Sequence, residues 1–117
     1  MKILILESDE SRWNKFNLLP FNTTIVVTSQ EAICFLQSAQ INNFKYSAIC
    51  IGEEIEENGL TLAEYIRLVN YPSKLYCHSH VSSRAREIRR ILPKTFYMPY
   101  CDEYQKFIIK AIRARKK

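Results

Sequence analysis

The sequence contains little glycine and proline, and it has no long apolar run. Two glycines and four prolines among 117 residues leave no linker-like or low-complexity segment. No apolar run approaches the roughly 20 residues that a membrane-spanning helix needs. The apolar run at residues 3–6 is too short for the core of a secretory signal. We therefore expect one domain over residues 1–117, without a membrane segment.

Motifs that identify common chemistries are also missing. The four cysteines form no CxxC pair, which is the spacing of structural zinc sites. The chain has no P-loop, no GxGxxG and no GxSxG motif, so neither a glycine-rich nucleotide loop nor a nucleophile elbow is indicated. Because free thiols persist in reducing compartments, the cysteines favour a cytoplasmic location.

Charge is plentiful but unevenly distributed along the chain. Lysine and arginine outnumber aspartate and glutamate by 17 to 12, for a net charge of +5. Residues 1–70 hold five basic and nine acidic side chains, whereas residues 71–117 hold twelve and three. The basic half could contact phosphates or an acidic protein surface, although solvated helix faces would also account for it.

Five apolar or β-branched runs of strand length alternate with segments of helical periodicity. The predicted strands are residues 2–6, 23–27, 46–51, 74–77 and 95–98. The first and last predicted helices cover residues 12–19 and 102–113. Between them we expect a helix capped by Ser29, one capped by Thr61, and one opened by Ser82 or Ser83. This alternation predicts an α/β fold, a three-layer αβα sandwich around a five-stranded parallel sheet.

Ligands of such sheets bind beyond the carboxyl ends of the strands, which directs attention to the loops there. The loops after the first and third strands are acidic, and carboxylate oxygens suit Mg²⁺. Asp9, Glu10 and Glu53 or Glu54 are therefore predicted to form a weak divalent-metal site. The alternative is a set of solvated carboxylates that cap helix N-termini.

His78 and Ser79 follow the fourth strand at the same edge. His78 could act as a general acid or base on a phosphate ester, and Ser79 could donate a hydrogen bond to the phosphate. The alternative is a polar cluster at the end of a strand, without catalytic work.

The basic half offers a candidate surface for a protein partner, because aromatic side chains lie among its cations. Binding of nucleic acid is the other use of such a surface. The candidate partner-binding residues are Arg84, Arg86, Arg89, Arg90, Tyr97, Tyr100, Lys106, Lys110 and Arg113.

The layout resembles the receiver domain of response regulators, and more closely the receiver-like family of cyclic-phosphate processing domains. The resemblance rests on the opening segment MKILILESDESRW, on the pair His78-Ser79 after the fourth strand, and on Pro99 near the end of the fifth. It implies a flavodoxin-like strand order 2-1-3-4-5 and a role in handling cyclic or nucleotide phosphates.

The chain departs from that pattern at the residues that carry phosphotransfer. Gly52 stands where the family has its key aspartate, and Glu54 replaces a second aspartate. Met98 precedes Pro99, where ordinary receivers have a lysine. Because glycine offers no side-chain oxygen, these departures predict a receiver-like chain that is not phosphorylated.

Three functions are compatible with these patterns. The first is a pseudo-receiver, a small regulatory module that binds a protein through its basic C-terminal half. By analogy with small receiver-like proteins of bacteria and their viruses, it could modulate a host protein. The second is a metal-dependent phosphoesterase or cyclic-nucleotide binder that uses the acidic cluster, Mg²⁺, His78 and Ser79. The third is a nucleic-acid-binding protein.

Overall fold

The computed structural model describes residues 1–52, 60–78, 82–98 and 104–114. The strands are β1 (Lys2–Leu6), β2 (Asn22–Val26), β3 (Ala48–Ile51), β4 (Lys74–Cys77) and β5 (Phe96–Tyr97). The helices are α1 (Trp13–Asn17), α2 (Ser29–Ile41), α3 (Leu60–Val69), α4 (Ser82–Ile91) and α5 (Tyr104–Ala114), and a single 3-10 turn, Glu10–Arg12, precedes α1.

The five strands form one parallel sheet in the order β2-β1-β3-β4-β5, which confirms the predicted topology. Strand β1 is an interior strand that pairs with β2 on one side and with β3 on the other. All of β3, and all of β1 after Lys2, is buried. Strands covered on both faces have no polar side to alternate with, which is why both consist of continuous apolar runs.

Helices cover both faces of the sheet and create two separate apolar cores. Leu4 and Leu6 of β1 point toward the core beneath α2, α3 and α4. Ile3 and Ile5 point the opposite way, toward the core beneath α1 and α5. This alternation follows from the two-residue period of a strand and confirms the three-layer sandwich. None of the helices in the described ranges is long and apolar enough to cross a membrane.

The predicted cap of α2, Ser29, is wrong, and α3 begins at Leu60, one residue before the predicted cap Thr61. The cap of α2 is Thr28, whose hydroxyl accepts a hydrogen bond from the Glu31 amide at 3.2 Å. Ser29 is buried inside the first turn, and its hydroxyl accepts the Leu62 amide at 3.3 Å. That amide belongs to the first turn of α3, where no carbonyl of the same helix is available. Ser29 therefore caps the next helix, across the interface between α2 and α3.

Several element boundaries also differ from those predicted. The segment expected as one helix over residues 12–19 is a 3-10 turn followed by the five residues of α1. The third strand starts at Ala48 rather than at Tyr46, because the Tyr46 amide donates to the hydroxyl of Tyr71 instead of to a neighbouring strand. The Thr95 amide likewise closes a turn onto the carbonyl of Leu92, so β5 starts one residue later than expected.

The two roles of Thr28 and Ser29 can be separated by substitution. Thr28→Ala removes an exposed cap and should lower the free energy of unfolding by about 1 kcal/mol. Ser29→Ala leaves a buried amide without its acceptor and should lower it by about 1–3 kcal/mol. Urea denaturation measures both values. A Ser29→Ala variant as stable as the wild type would contradict the capping role across the two helices.

Candidate functional site

A glutamate, a glycine and a histidine stand immediately beyond the carboxyl ends of the three interior strands β1, β3 and β4. Glu7 follows β1, Gly52 follows β3 and His78 follows β4. Their backbone amides continue the ladder of the sheet, with N–H to carbonyl distances of 2.8 to 2.9 Å to the neighbouring strand. The sheet therefore fixes the backbone of all three residues, and all three are buried.

The carboxylate of Glu7 is fully buried and has a partner on each oxygen. Oε1 accepts a hydrogen bond from Nη1 of Arg12 at 3.1 Å and lies 2.8 Å from Nε2 of His78. Oε2 accepts the backbone amide of Asp9 at 3.1 Å. A buried carboxylate is costly unless it is paired and hydrogen-bonded, and here both conditions are met.

Arg12 provides a cation that belongs to the chain itself. Its side chain is only 9% exposed and bridges Glu7 to Asp9, whose Oδ2 lies 3.6 Å from Nε. The other oxygen of Asp9 accepts both the amide and the hydroxyl of Ser11, at 3.0 and 2.6 Å. The indole of Trp13 donates to the carbonyl of Glu7 at 2.9 Å. The acidic loop is thus organised around a guanidinium group.

The imidazole of His78 fills the space above Gly52. A Cβ atom built on Gly52 would lie 2.0 Å from Nε2 of His78 and 2.6 Å from two ring carbons. No side chain fits at position 52 while the ring stays in this place. The glycine is therefore required by close approach of the ring.

Aromatic side chains hold the ring of His78 from its other sides. The rings of Phe16 and Tyr104 lie 5.2 and 5.3 Å from it, centroid to centroid. One ring nitrogen, Nε2, faces the Glu7 carboxylate. The other, Nδ1, lies 3.4 Å from the hydroxyl of Tyr104. The ring has no exposed surface. A catalytic role for His78 would require it to leave the core, so its buried position favours a structural role.

The polar chain continues from Tyr104 to Cys50, and the two side chains share a hydrogen bond. Burial raises the pKa of Cys50 to about 12, with a smaller contribution of the same sign from Cys77. Burial also raises the pKa of Tyr104 well above its ordinary value, and the neighbouring Cys50 adds to this. Both groups therefore keep their protons at neutral pH, and Cys50 lacks the thiolate that redox chemistry requires.

Of the residues predicted to bind a metal, the structure describes Asp9 and Glu10. Asp9 is bonded within its own turn and to Arg12, and Glu10 is exposed on the 3-10 turn. Glu53 and Glu54 lie outside the described residues, as does Ser79. No three His, Cys, Asp or Glu residues within the described ranges are placed to hold a metal ion.

Two residues of this cluster, Glu7 and Arg12, were not among the predicted site residues. The signal for Glu7 is its position, since an acid that directly extends a buried apolar strand must itself be buried and paired. Arg12 has a weaker signal, because an arginine five residues later is ordinary on a helix surface. The contact of Glu7 with His78 joins residues 71 positions apart and has no local signature.

The described members of the predicted partner-binding set lie on β5, α4 and α5. Strand β5 is the last strand of the sheet, with α4 packed on one face and α5 on the other. Tyr97 of β5 is 38% exposed, and its neighbour Phe96, which was not predicted, is 50% exposed. Arg90 forms an ion pair with Glu87. The side chain of Arg84 and residue Tyr100 lie outside the described residues. The exposed cations on the two helices are Arg86, Arg89, Arg90, Lys106, Lys110 and Arg113.

Comparison with solved structures identifies the fold. The chain is similar to the structure of the Francisella response regulator 1452 receiver domain, with a TM-score of 0.66 and 18% sequence identity. The superposition covers 99% of this chain and 98% of that chain. No family model matches the chain, and no curated protein sequence matches it. The similarity confirms the predicted receiver-like fold, with the Gly52, His78 and Glu7 cluster at the carboxyl edge of its sheet.

Proposed function

We propose that this protein is a receiver-like regulatory module that is not phosphorylated and that acts by binding a protein partner. The observation that carries the proposal is the packing of the His78 ring against Gly52. A receiver needs an open carboxylate at this edge and a cation beside it. Here the space beside β3 holds an imidazole, and the nearby carboxylate of Glu7 is already paired with Arg12 and His78.

The β5 edge supports binding of a protein with an acidic face. We define the β5 edge by the exposed side chains of Phe96 and Tyr97 together with the exposed cations of α4 and α5. Aromatic and arginine side chains are the residue types that most often dominate the energy of protein interfaces. The surrounding positive charge would steer an acidic partner and exclude a basic one. Two exposed aromatics on an edge strand favour protein over nucleic acid as the partner.

The absence of phosphorylation can be tested with acetyl phosphate and Mg²⁺. Intact mass spectrometry should show no adduct of about 80 Da, the mass of one phosphoryl group, because position 52 has no acceptor oxygen. A receiver domain with an intact acceptor aspartate, treated in parallel, is the positive control. A stable adduct on this protein would contradict the proposal.

The steric exclusion between positions 52 and 78 predicts a specific coupling. Gly52→Ala should lower the free energy of unfolding by about 2–4 kcal/mol, because the new methyl group displaces the ring and breaks its contact with Glu7. In a His78→Ala background the same substitution should cost at least about 1 kcal/mol less. Urea denaturation of the two single variants and the double variant gives the coupling. Additive effects would show that the ring does not occupy this space.

The partner surface can be tested with charge-matched double variants. A protein captured from bacterial lysate by the wild type should be lost with Arg86→Glu/Arg89→Glu and with Lys106→Glu/Lys110→Glu. It should be retained by Lys45→Glu/Lys74→Glu, which reverses the same charge at the end of the sheet where β3 and β4 begin. Tyr97→Ala should weaken the purified complex by about tenfold or more. Captured material that nuclease removes would instead indicate nucleic acid as the partner.

A further inference from the structure

Two adjoining cavities lie where β3 and β4 begin, at the end of the sheet opposite to Glu7, Gly52 and His78. One has a volume of about 520 Å³ and includes Lys45, Ser47, Tyr71, Ser73 and Lys74 in its wall. The other, of about 410 Å³, shares Tyr71, Ser73 and Lys74 with the first. It extends past Arg67 and Lys94 to the apolar side chains Leu75, Ile91 and Leu92. We call the two cavities together the amino-edge groove. Their volumes lie in the range of small-molecule sites.

The described lining of the amino-edge groove carries positive charge, although Glu64 and Glu87 line a further cavity that shares Arg67. Lys45, Lys74, Arg67 and Lys94 contribute four cations, and no carboxylate is among the described lining residues. None of the four forms an ion pair with a carboxylate in the described ranges. Concentrated charge of one sign in a concave surface attracts ions of the opposite sign.

Helix ends explain only part of this charge. The helices of a parallel fold end at this edge, and their carbonyl ends favour cations. That explains Arg67, which is in the last turn of α3. Lys45 and Lys74 are different, because Lys45 lies in the connection before β3 and Lys74 is the first residue of β4. Their positions call for another reason.

The backbone around the groove is fixed by helix-ending turns. Asn43 and Asn70 have φ values of 60° and 51°, the left-handed conformation that commonly ends a helix. The next residues, Phe44 and Tyr71, donate their amides back to α2 and α3 at 3.0 and 3.1 Å. The groove is therefore already formed, with its walls set by hydrogen bonds of the backbone.

Hydroxyl groups stand beside the lysines. The oxygen of Tyr71 accepts the Tyr46 amide at 2.9 Å, which leaves its own proton to be donated elsewhere. Burial raises the pKa of Tyr71, so this proton stays in place at neutral pH. Ser47 and Ser73 are half-buried in the same cavity. Ammonium and hydroxyl donors that converge in a pocket suit a phosphate group.

We propose that the amino-edge groove binds an organic phosphate that carries a flat apolar group. Its phosphate lies between Lys45 and Lys74, within reach of the Tyr71 hydroxyl. Its apolar group lies against Leu75, Ile91 and Leu92, with Arg67 and Lys94 at the rim. This site is separate from the Gly52 cluster and from the β5 edge, so it does not depend on the proposed partner binding.

Isothermal titration with AMP, adenosine, ribose 5-phosphate and inorganic phosphate tests both parts of the groove. AMP should bind with a Kd lower by at least about tenfold than that of each of the other three, because it alone fills both cavities. No saturable binding of AMP at millimolar concentration would overturn the proposal. Equal affinity for AMP and inorganic phosphate, or for AMP and adenosine, would overturn the two-part assignment.

Charge reversal then locates the site. Lys45→Glu/Lys74→Glu should weaken AMP binding by about tenfold or more, whereas Lys106→Glu/Lys110→Glu should change it by less than about twofold. All four lysines are exposed, so thermal denaturation should show that both variants fold. Equal loss in the two variants would show attraction by net charge alone. Full binding by Lys45→Glu/Lys74→Glu would place AMP elsewhere on the protein.

Discussion

The burial of the Glu7 carboxylate is the constraint on which the carboxyl edge of the sheet depends. A buried carboxylate at the end of β1 needs partners inside the fold, and Arg12 and His78 both contact its Oε1 atom. Arg12 in turn shapes the acidic loop through Asp9, and His78 dictates glycine at position 52. The arrangement of Arg12, Asp9, His78 and Gly52 therefore follows from the partners that this one carboxylate needs.

The buried cluster also connects the first strand, β1, to the last helix, α5. The imidazole of His78 contacts the hydroxyl of Tyr104, the first residue of α5. Tyr104 in turn contacts Cys50 on β3. The same α5 supplies cations to the β5 edge through Lys106 and Lys110. The position of α5 is therefore tied to the buried site rather than left free to respond to it.

The fold could be predicted from the sequence because buried parallel strands leave a strong local signal. The run that became β3, and that of β1 after Lys2, are apolar throughout, and the alternation of such runs with helices allows few topologies. The helix caps could not be predicted, because Thr28 and Ser29 both offer a hydroxyl group. Only the fold shows that the hydroxyl of Ser29 reaches the Leu62 amide. The contacts of Glu7 with His78, and the convergence of Lys45 and Lys74, join segments far apart in sequence and leave no pattern to read.

The mutual exclusion of a side chain at position 52 and an imidazole at position 78 has an evolutionary consequence. A lineage that carries this pair cannot introduce a side chain at position 52 by one substitution without displacing the imidazole from the core. Losing His78 first would leave the buried Glu7, at the end of β1, with one partner fewer. Because either single substitution disrupts buried contacts, descendants would diversify at their surfaces while this interior stayed unchanged.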